Sequence, residues 1–450
     1  VPKRLVDKYN IPAPRYTSYP TVPYWEAAQI DATAWSDRVR AAFHSRRELS
    51  LYIHLPYCEQ LCTYCGCNKH ITTNHRVEQP YINSVLAEWA MYTRLLGERP
   101  VLRELHLGGG TPTFFSPDNL ACLIEGILAG ADVAPQTEFS FEAHPFSTTH
   151  AHLATLRRLG FNRISVGVQD VSPEILAIIN RAQTVEQVEN VTRWARELGY
   201  ESVNFDLIFG LPLQTPAHIS DTMHLVGRLR PERIAFYSYA HVPWVKPSQR
   251  AYSEADLPDG EAKRALYEWG RELLEREGYV EIGLDHFALP GDSLYRSMQQ
   301  GTLHRNFMGY TPYSTRLCIG LGASAIGDSW DAYAQNEKRI TNYQQRIAKG
   351  ELPLTKGHLL SPEDQILREH ILHLMCQGFT NWEDPRLQCD TLWEGLERLT
   401  EMEEDGLVSR SPYQLRVTEA GLPFMRNICL ALDARYWRAQ PAAQLFSKVV

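Results

Sequence analysis

No stretch of this chain approaches the eighteen or so consecutive apolar residues that a membrane-crossing helix needs. Its first residues, Val-Pro-Lys-Arg-Leu-Val-Asp, lack the apolar centre of a secretory leader, so the expected compartment is the cytoplasm. Positive charge is not in excess either. Against 45 Lys and Arg stand 53 Asp and Glu, a formal charge of -8, which argues against nucleic acid as the main partner. Low-complexity tracts and internal repeats are absent. Cysteine is scarce: there are nine in 450 residues, four of them between 58 and 67 and the others scattered at 122, 318, 376, 389 and 429. That distribution excludes a disulfide framework and reads as one cluster plus buried thiols.

The four clustered cysteines lie in Tyr52-Ile-His-Leu-Pro-Tyr-Cys-Glu-Gln-Leu-Cys-Thr-Tyr-Cys-Gly-Cys-Asn68, where Cys58, Cys62 and Cys65 have Cys-x3-Cys-x2-Cys spacing. A cubane 4Fe-4S cluster normally takes four cysteines, so a three-cysteine loop leaves one iron open to an outside ligand. A zinc knot is the plainer alternative. It needs a second ligand pair roughly 12 to 20 residues away, and His70 and His75 follow at the wrong distance.

Length suits a barrel of roughly 200 to 300 residues with a smaller unit beside it. Residues 1–45 are polar and proline-rich around Asn10-Ile-Pro-Ala-Pro-Arg-Tyr-Thr-Ser-Tyr-Pro20, which predicts an extended arm packed over the next domain. From Leu51 a strand-then-helix rhythm begins. It predicts six strands, at 51–54, 104–107, 138–142, 163–168, 202–208 and 233–239, with helices at 81–96, 119–128, 185–198 and 219–229 between them. The fold class is therefore α/β: an open (β/α)6 partial TIM-like barrel, with polar or glycine residues at its strand ends (His54, Gly108–Gly110, Glu142, Gln169 with Asp170, Asp206). A helix is expected at 260–276, then a long irregular stretch through 326 that wraps the open side. The barrel with this extension covers 46–350, and a boundary is expected within 349–362. The last unit, 351–450, reads as a covering domain of helices followed by a hairpin about Ser411-Pro412, in the manner of a winged helix. Its acids outnumber its bases, against DNA binding.

Gly108-Gly-Gly-Thr-Pro-Thr113 follows a strand, and its backbone can approach a ligand closely. No Gly-Lys-Ser/Thr follows, so it is not a Walker loop. With the three-cysteine loop, it resembles the glycine motif of the radical S-adenosylmethionine (SAM) superfamily. His54-x-Pro-x-Cys58, Cys65-Gly-Cys-Asn68, Pro14-Arg-Tyr-Thr-Ser-Tyr-Pro20, Gly283-Leu-Asp-His-Phe287 and His304-Arg-Asn-Phe307 narrow this further. Together they resemble the oxygen-independent coproporphyrinogen III oxidases over nearly the whole chain. One departure is Ala13, where that family usually carries Gly.

The resemblance implies one 4Fe-4S cluster on Cys58, Cys62 and Cys65, with two SAM molecules. Tyr52, Gly109, Gly110, Thr111, Glu142 and Ile326 would contact the first, with Glu142 suited to a ribose hydroxyl. Tyr64, Gln169, Arg181, Asp206 and Ala240 would contact the second. Read alone, Arg181 is a surface helix cap and Tyr64 a packed aromatic. Cys67 and Tyr52 are the implied catalytic residues, Cys67 as a nonligand near the substrate. The implied reaction converts two propionates of coproporphyrinogen III to vinyls, giving protoporphyrinogen IX and two CO2. A 5'-deoxyadenosyl radical from SAM takes hydrogen from each propionate β-carbon, and an electron donor and an electron acceptor are required. Arg15 and Arg305 are candidate partners for the substrate carboxylates, and a monomer is expected. Related heme chaperones, which bind heme and a cluster without this activity, are the alternative. They typically lack the Arg-Tyr-Thr-Ser-Tyr-Pro arm and the fourth cysteine, and both are present here.

Overall fold

The computed structural model describes residues 1–25, 30–440 and 446–449. Parts of the proposed arm (26–29) and of the C-terminal unit (441–445 and 450) lie outside them. Twelve strands form one mixed sheet: β1 (Glu48–Leu55), β2 (Val101–Gly109), β3 (Asp132–Ala143), β4 (Arg163–Gln169), β5 (Ser202–Phe209), β6 (Arg233–Ser238), β7 (Val280–Gly283), β8 (His286–Ala288), β9 (Cys318–Leu321), β10 (Ile326–Asp328), β11 (Ala332–Asn336) and β12 (Leu354–Leu359). Their spatial order is β12-β11-β10-β9-β1-β2-β3-β4-β5-β6-β8-β7. Strands β1 to β6 run parallel in sequence order, as the six predicted βα units require. The barrel stays open because β1 and β6 do not pair with each other; each is bordered by a later strand instead.

Burial of one face in the barrel core explains why every second residue of these strands is apolar, while polar residues of the other face, such as Asn204 and Asp206, line the lumen. In β1, Leu49, Leu51, Ile53 and Leu55 are fully buried, as are Val203, Phe205 and Leu207 of β5. The outer helices start where the sequence supplies caps. Ser116 accepts from Asn119 N before the helix Pro117–Ala129, and Thr184 forms a capping box with Gln187 before Val185–Glu197.

Two expectations need correction. Residues 288–326 are not an irregular wrap: Cys318–Leu321 pairs parallel with β1, and β10 to β12 extend the sheet antiparallel beyond it. Glycines at 320, 322 and 327 and short strands hid that periodicity. The N-terminal stretch is not extended throughout, since Lys3–Tyr9 and Ala32–Ser45 are helices. Its prolines are confined to 2, 12, 14, 20 and 23, which leaves both segments free to coil.

The hydrophobic core has two main parts. Trp35, Val39 and Phe43 of the helix Ala32–Ser45 join the barrel core. Leu5, Val6, Tyr9, Ala13, Tyr16 and Tyr19 instead join Leu367, Ile371, Phe424 and Ile428 in the core of the C-terminal unit. That unit carries a three-stranded wing, with the expected hairpin formed by Val408–Ser411 and Gln414–Val417. The segment 349–362 contributes the edge strand β12 before the helix Pro362–Gln377 begins.

Candidate active site

The cysteine loop leaves the C-terminal end of β1 and closes on itself through Cys65 N, which donates to Cys62 O at 3.3 Å. All nine cysteines are free thiols. Donors surround the three candidate ligands: Cys58 Sγ lies 3.2 Å from Thr111 Oγ1, Arg181 Nη1 lies 3.5 Å from Cys62 Sγ, and Lys69 Nζ reaches Cys65 O at 3.2 Å. A hydrogen bond with Cys67, aided by Lys69, pulls the Cys65 thiol down to about 6 against the effect of burial. Burial pushes Cys58 up to about 11, opposed by the Thr111 hydroxyl. Among the described residues, no three His, Cys, Asp or Glu side chains gather so as to hold one metal ion. The thiolates of a cubane bind three different irons and need not meet at one point. Three sulfurs on one short loop, lined by a guanidinium, an ammonium and a hydroxyl, fit an anionic iron-sulfur cluster.

Glycines bring the end of β2 against this loop. Gly109 has φ +113°, and a Cβ there would stand 2.5 Å from the His54 ring; at Gly110 it would stand 2.6 Å from the Pro56 carbonyl carbon. Only glycine permits that approach. Gly110 N donates to Leu55 O at 2.8 Å and Thr111 N to Tyr57 O at 2.9 Å, fixing the motif. Glu142, at the end of β3, accepts from Gly109 N at 3.2 Å, and its other oxygen is 3.6 Å from His106 Nε2. The His106 ring stacks on Tyr52 at 6.0 Å, and Tyr52 Oη meets His54 Nδ1 at 3.1 Å. Tyr52, Gly109, Gly110, Thr111 and Glu142 therefore share one wall. Ile326 opens β10 on the other flank of β1, at the same end of the sheet, because β10 runs antiparallel to β9 and β9 parallel to β1.

Arg181 is no surface cap. Buried between the end of β4 and the cysteine loop, it donates to Tyr64 Oη at 3.2 Å, to Gln183 Oε1 at 2.7 Å and to Gly167 O. Gln169 takes a left-handed φ of 67°, where β4 breaks register. Asp206 accepts from Ser165 at 2.8 Å and Asn204 at 2.9 Å, and burial pushes its carboxyl up to about 6. With His106, Glu142, Tyr237 and His286 it lines a lumen cavity of about 80 Å³. Gln249 donates to both Ala240 O and Tyr64 O at 3.1 Å, joining the loop after β6 to the cysteine loop. Cys67 is exposed.

Arg15 pairs with Asp285 at 3.0 Å and donates to Ser238 O at 2.9 Å. Arg305 is buried 4.6 Å over the Tyr310 ring. Its Nη2 reaches Arg15 O at 3.4 Å, while Nε and Nη1 have no hydrogen-bond partner among the described residues.

Sequence reasoning missed two residues that brace this wall. On the helix Glu78–Leu96, Tyr81 Oη accepts from Ala323 N at 2.8 Å and donates to His54 O at 2.7 Å. Glu88 accepts from Gly322 N at 2.8 Å, Asn336 Nδ2 at 2.7 Å and Tyr343 Oη at 2.7 Å. The signal was there: an acid on the apolar stripe Tyr81, Val85, Glu88, Trp89, Tyr92.

Residues 52–226 match the family described as the radical SAM superfamily. A three-cysteine loop after the first strand of an open parallel barrel, facing a glycine wall, is the arrangement of a radical SAM enzyme, a class that uses a 4Fe-4S cluster and SAM. The chain is 36% identical to the oxygen-independent coproporphyrinogen III oxidase of Escherichia coli, over 99% of this chain and 98% of that one. Identity to the enzyme of the same name from Pseudomonas aeruginosa is 36%, with the same shares covered; for Synechocystis it is 34%, with 99% and 97% covered. The solved structure of coproporphyrinogen III oxidase (HemN) from Escherichia coli, described as a radical SAM enzyme, superposes with a TM-score of 0.89 at 35% identity, covering 93% of this chain and 97% of that one. The chain belongs to the oxygen-independent coproporphyrinogen III oxidases.

Proposed function

We propose that this protein converts coproporphyrinogen III to protoporphyrinogen IX without oxygen, as a cytoplasmic monomer holding one cluster and two SAM molecules. The observation that carries the reaction is full-length identity to oxidases of that name, with the cysteine loop and the arm both present. When bound, the cluster supplies the electron that cleaves SAM reductively, giving the radical chemistry of the step.

The chain's own residues would hold and shield. Cys58, Cys62 and Cys65 would ligate the cluster, and the open iron would take SAM. Glu142, already aligned by Gly109 N, would accept from the ribose of the first SAM, with Tyr52, Gly110, Thr111 and Ile326 around it. Arg181, Tyr64, Gln169, Asp206 and Ala240 would hold the second. Their support is a common location: Gln249 and Arg181 tie the ends of β4 and β6 to the cysteine loop. Cys67, exposed beside the ligands, would face the substrate. The unpartnered Nε and Nη1 of Arg305 are donors for a propionate, with Arg15 beside them. An electron donor and an electron acceptor complete the balance.

The test is SAM consumption by the reduced, anaerobic protein with and without coproporphyrinogen III. Consumption coupled to CO2 release is expected; heme binding without CO2 release would favour the chaperone reading.

A further inference from the structure

In an acidic chain, cations near a site for an acidic ligand are informative when nothing in the protein neutralises them. Most arginines here have carboxylate partners, whereas among the nine lysines Lys3 pairs with Glu261 and Lys8 with Asp405 and the other seven form no ion pair among the described residues, so location and not the lack of a partner distinguishes the ones discussed next. Among the described residues, Lys69, Lys246 and Lys338 form no ion pair; the one hydrogen bond of their ammonium groups is from Lys69 to Cys65 O, at 3.2 Å.

Three different segments bring them together. Lys69 ends the cysteine loop. Lys246 lies on the loop after β6, which Gln249 fastens to Tyr64 O. Lys338 follows β11, and its carbonyl accepts from Asn68 Nδ2 at 3.1 Å. Burial and the charge of Lys69 lower the pKa of Lys246, Cys65 and Cys67 oppose them, and Lys338 adds a smaller lowering, which places Lys246 within electrostatic reach of both other lysines and of the cysteine loop. All three segments meet at the end of the barrel where the strands of the glycine wall finish. Beside Lys246, Trp244 and Val245 are 47% and 56% exposed.

We propose that Lys246 and Lys338, outside Lys69 and the cysteine loop that it lines, form a carboxylate-binding rim of the active site that takes propionates of the tetrapyrrole substrate, with Trp244 and Val245 against the macrocycle edge. The inference rests on the proposed porphyrinogen reaction and adds its substrate contacts. Coproporphyrinogen III carries four carboxylates, and a chain with a charge of -8 repels it unless local cations compensate. Arg305 supplies unpartnered donors for one propionate and Arg15 beside it is already paired with Asp285, so the remaining carboxylates need other cations. Lysine suits this task better than arginine. A compact charge on a flexible four-carbon stem can follow one propionate and then another as the macrocycle is presented twice. The alternative occupant is an acidic electron-donor protein. Lys338, Trp244 and Val245 are exposed and could meet such a donor, whereas Lys246 is half-buried beside the cysteine loop, which favours the substrate and leaves the donor as an outcome that the test separates.

The experiment uses the reconstituted holoenzyme under anaerobic conditions, with Lys246→Gln, Lys338→Gln and the double variant. Iron content, melting temperature and SAM binding are recorded first and are expected to match the wild type. Binding of coproporphyrin III, the oxidised and unreactive macrocycle with the same four propionates, is read by fluorescence. KM and kcat for coproporphyrinogen III are measured with dithionite as the electron source. The Kd and KM are expected to rise about fivefold per lysine, with kcat held and the difference shrinking as salt is raised. Unchanged Kd and KM in the double variant would overturn the rim. So would a defect seen only when an acidic redox protein replaces dithionite, which assigns the lysines to donor docking. A wild type that binds coproporphyrin III but forms no vinyl product refutes the reaction, and the binding comparison still judges the rim.

Discussion

Tyr16 Oη donates a 3.0 Å hydrogen bond to Asp433 Oδ2, joining residues 417 positions apart. The arm is thereby built into the C-terminal unit. Arg426 donates to Pro14 O at 3.1 Å, Asn427 to Tyr9 O at 2.9 Å, and Ala13 N to Ser447 O at 3.2 Å. Deleting residues 1–20 would strip six apolar side chains from that core and none from the barrel core. The truncated protein is expected to keep its cluster and SAM binding, but to lose the melting transition of the C-terminal unit and decarboxylase activity. Tyr16→Phe, which leaves the buried Asp433 short of a donor, is expected to cost about 1 to 2 kcal/mol in chemical unfolding. Loss of the cluster on deletion would show that the two cores do not fold separately.

The cysteine assignment predicts an asymmetry. Cys58→Ala, Cys62→Ala and Cys65→Ala should each abolish the 4Fe-4S absorption of reconstituted protein, because each removes a ligand that no neighbour replaces. Cys67→Ala should retain cluster iron. Retention by one of the three, with loss in Cys67→Ala, would reassign the ligands.

Glu142 has one oxygen on Gly109 N and the other directed toward His106. Glu142→Ala is expected to weaken SAM binding by about 2 kcal/mol, roughly thirtyfold in Kd, through loss of a charged hydrogen bond. Isothermal titration with SAM measures it. Wild-type affinity in a folded variant would remove Glu142 from the site.

Glu88 gives the protein a pH signature. Burial pushes its carboxyl up to about 7, against hydrogen bonds from Gly322 N, Tyr343 and Asn336. An unfolded Glu titrates near about 4.3, so the folded state binds the proton more tightly. The stability this confers is complete below the unfolded value and lost as pH rises through about 7. Glu88→Gln cannot titrate, so the advantage of the wild type over it should be larger at pH 6 than at pH 8. Equal differences in urea unfolding at both pH values would show that Glu88 keeps an ordinary pKa.

How much of this was legible follows from which forces act locally. The six parallel strands and their helices announced themselves, because burial of one strand face places an apolar residue at every second position, as at Leu49, Leu51, Ile53 and Leu55. The cysteine loop and the glycine turn were legible because their chemistry is contiguous in sequence. Cys318–Leu321 was not: four residues with Gly320 inside and Gly322 after them carry no period, and only pairing with β1 makes them a strand. Nor could Arg15 be seen to pair with Asp285, 270 positions away, or Glu88 to hold the loop at Gly322. Proline density described Pro12 to Pro20, which holds no helix, but was extended too far, over the helices Lys3–Tyr9 and Ala32–Ser45 and the short turn of helix at Val22–Tyr24.

Mass analysis of the products from anaerobic, dithionite-reduced holoenzyme given SAM and coproporphyrinogen III decides whether the chain is the oxidase. Loss of two carboxyl groups per macrocycle, protoporphyrinogen IX with two vinyl groups, and SAM converted to methionine and 5'-deoxyadenosine are expected. A macrocycle recovered with all four propionates, with the cluster intact and SAM bound, would contradict that assignment.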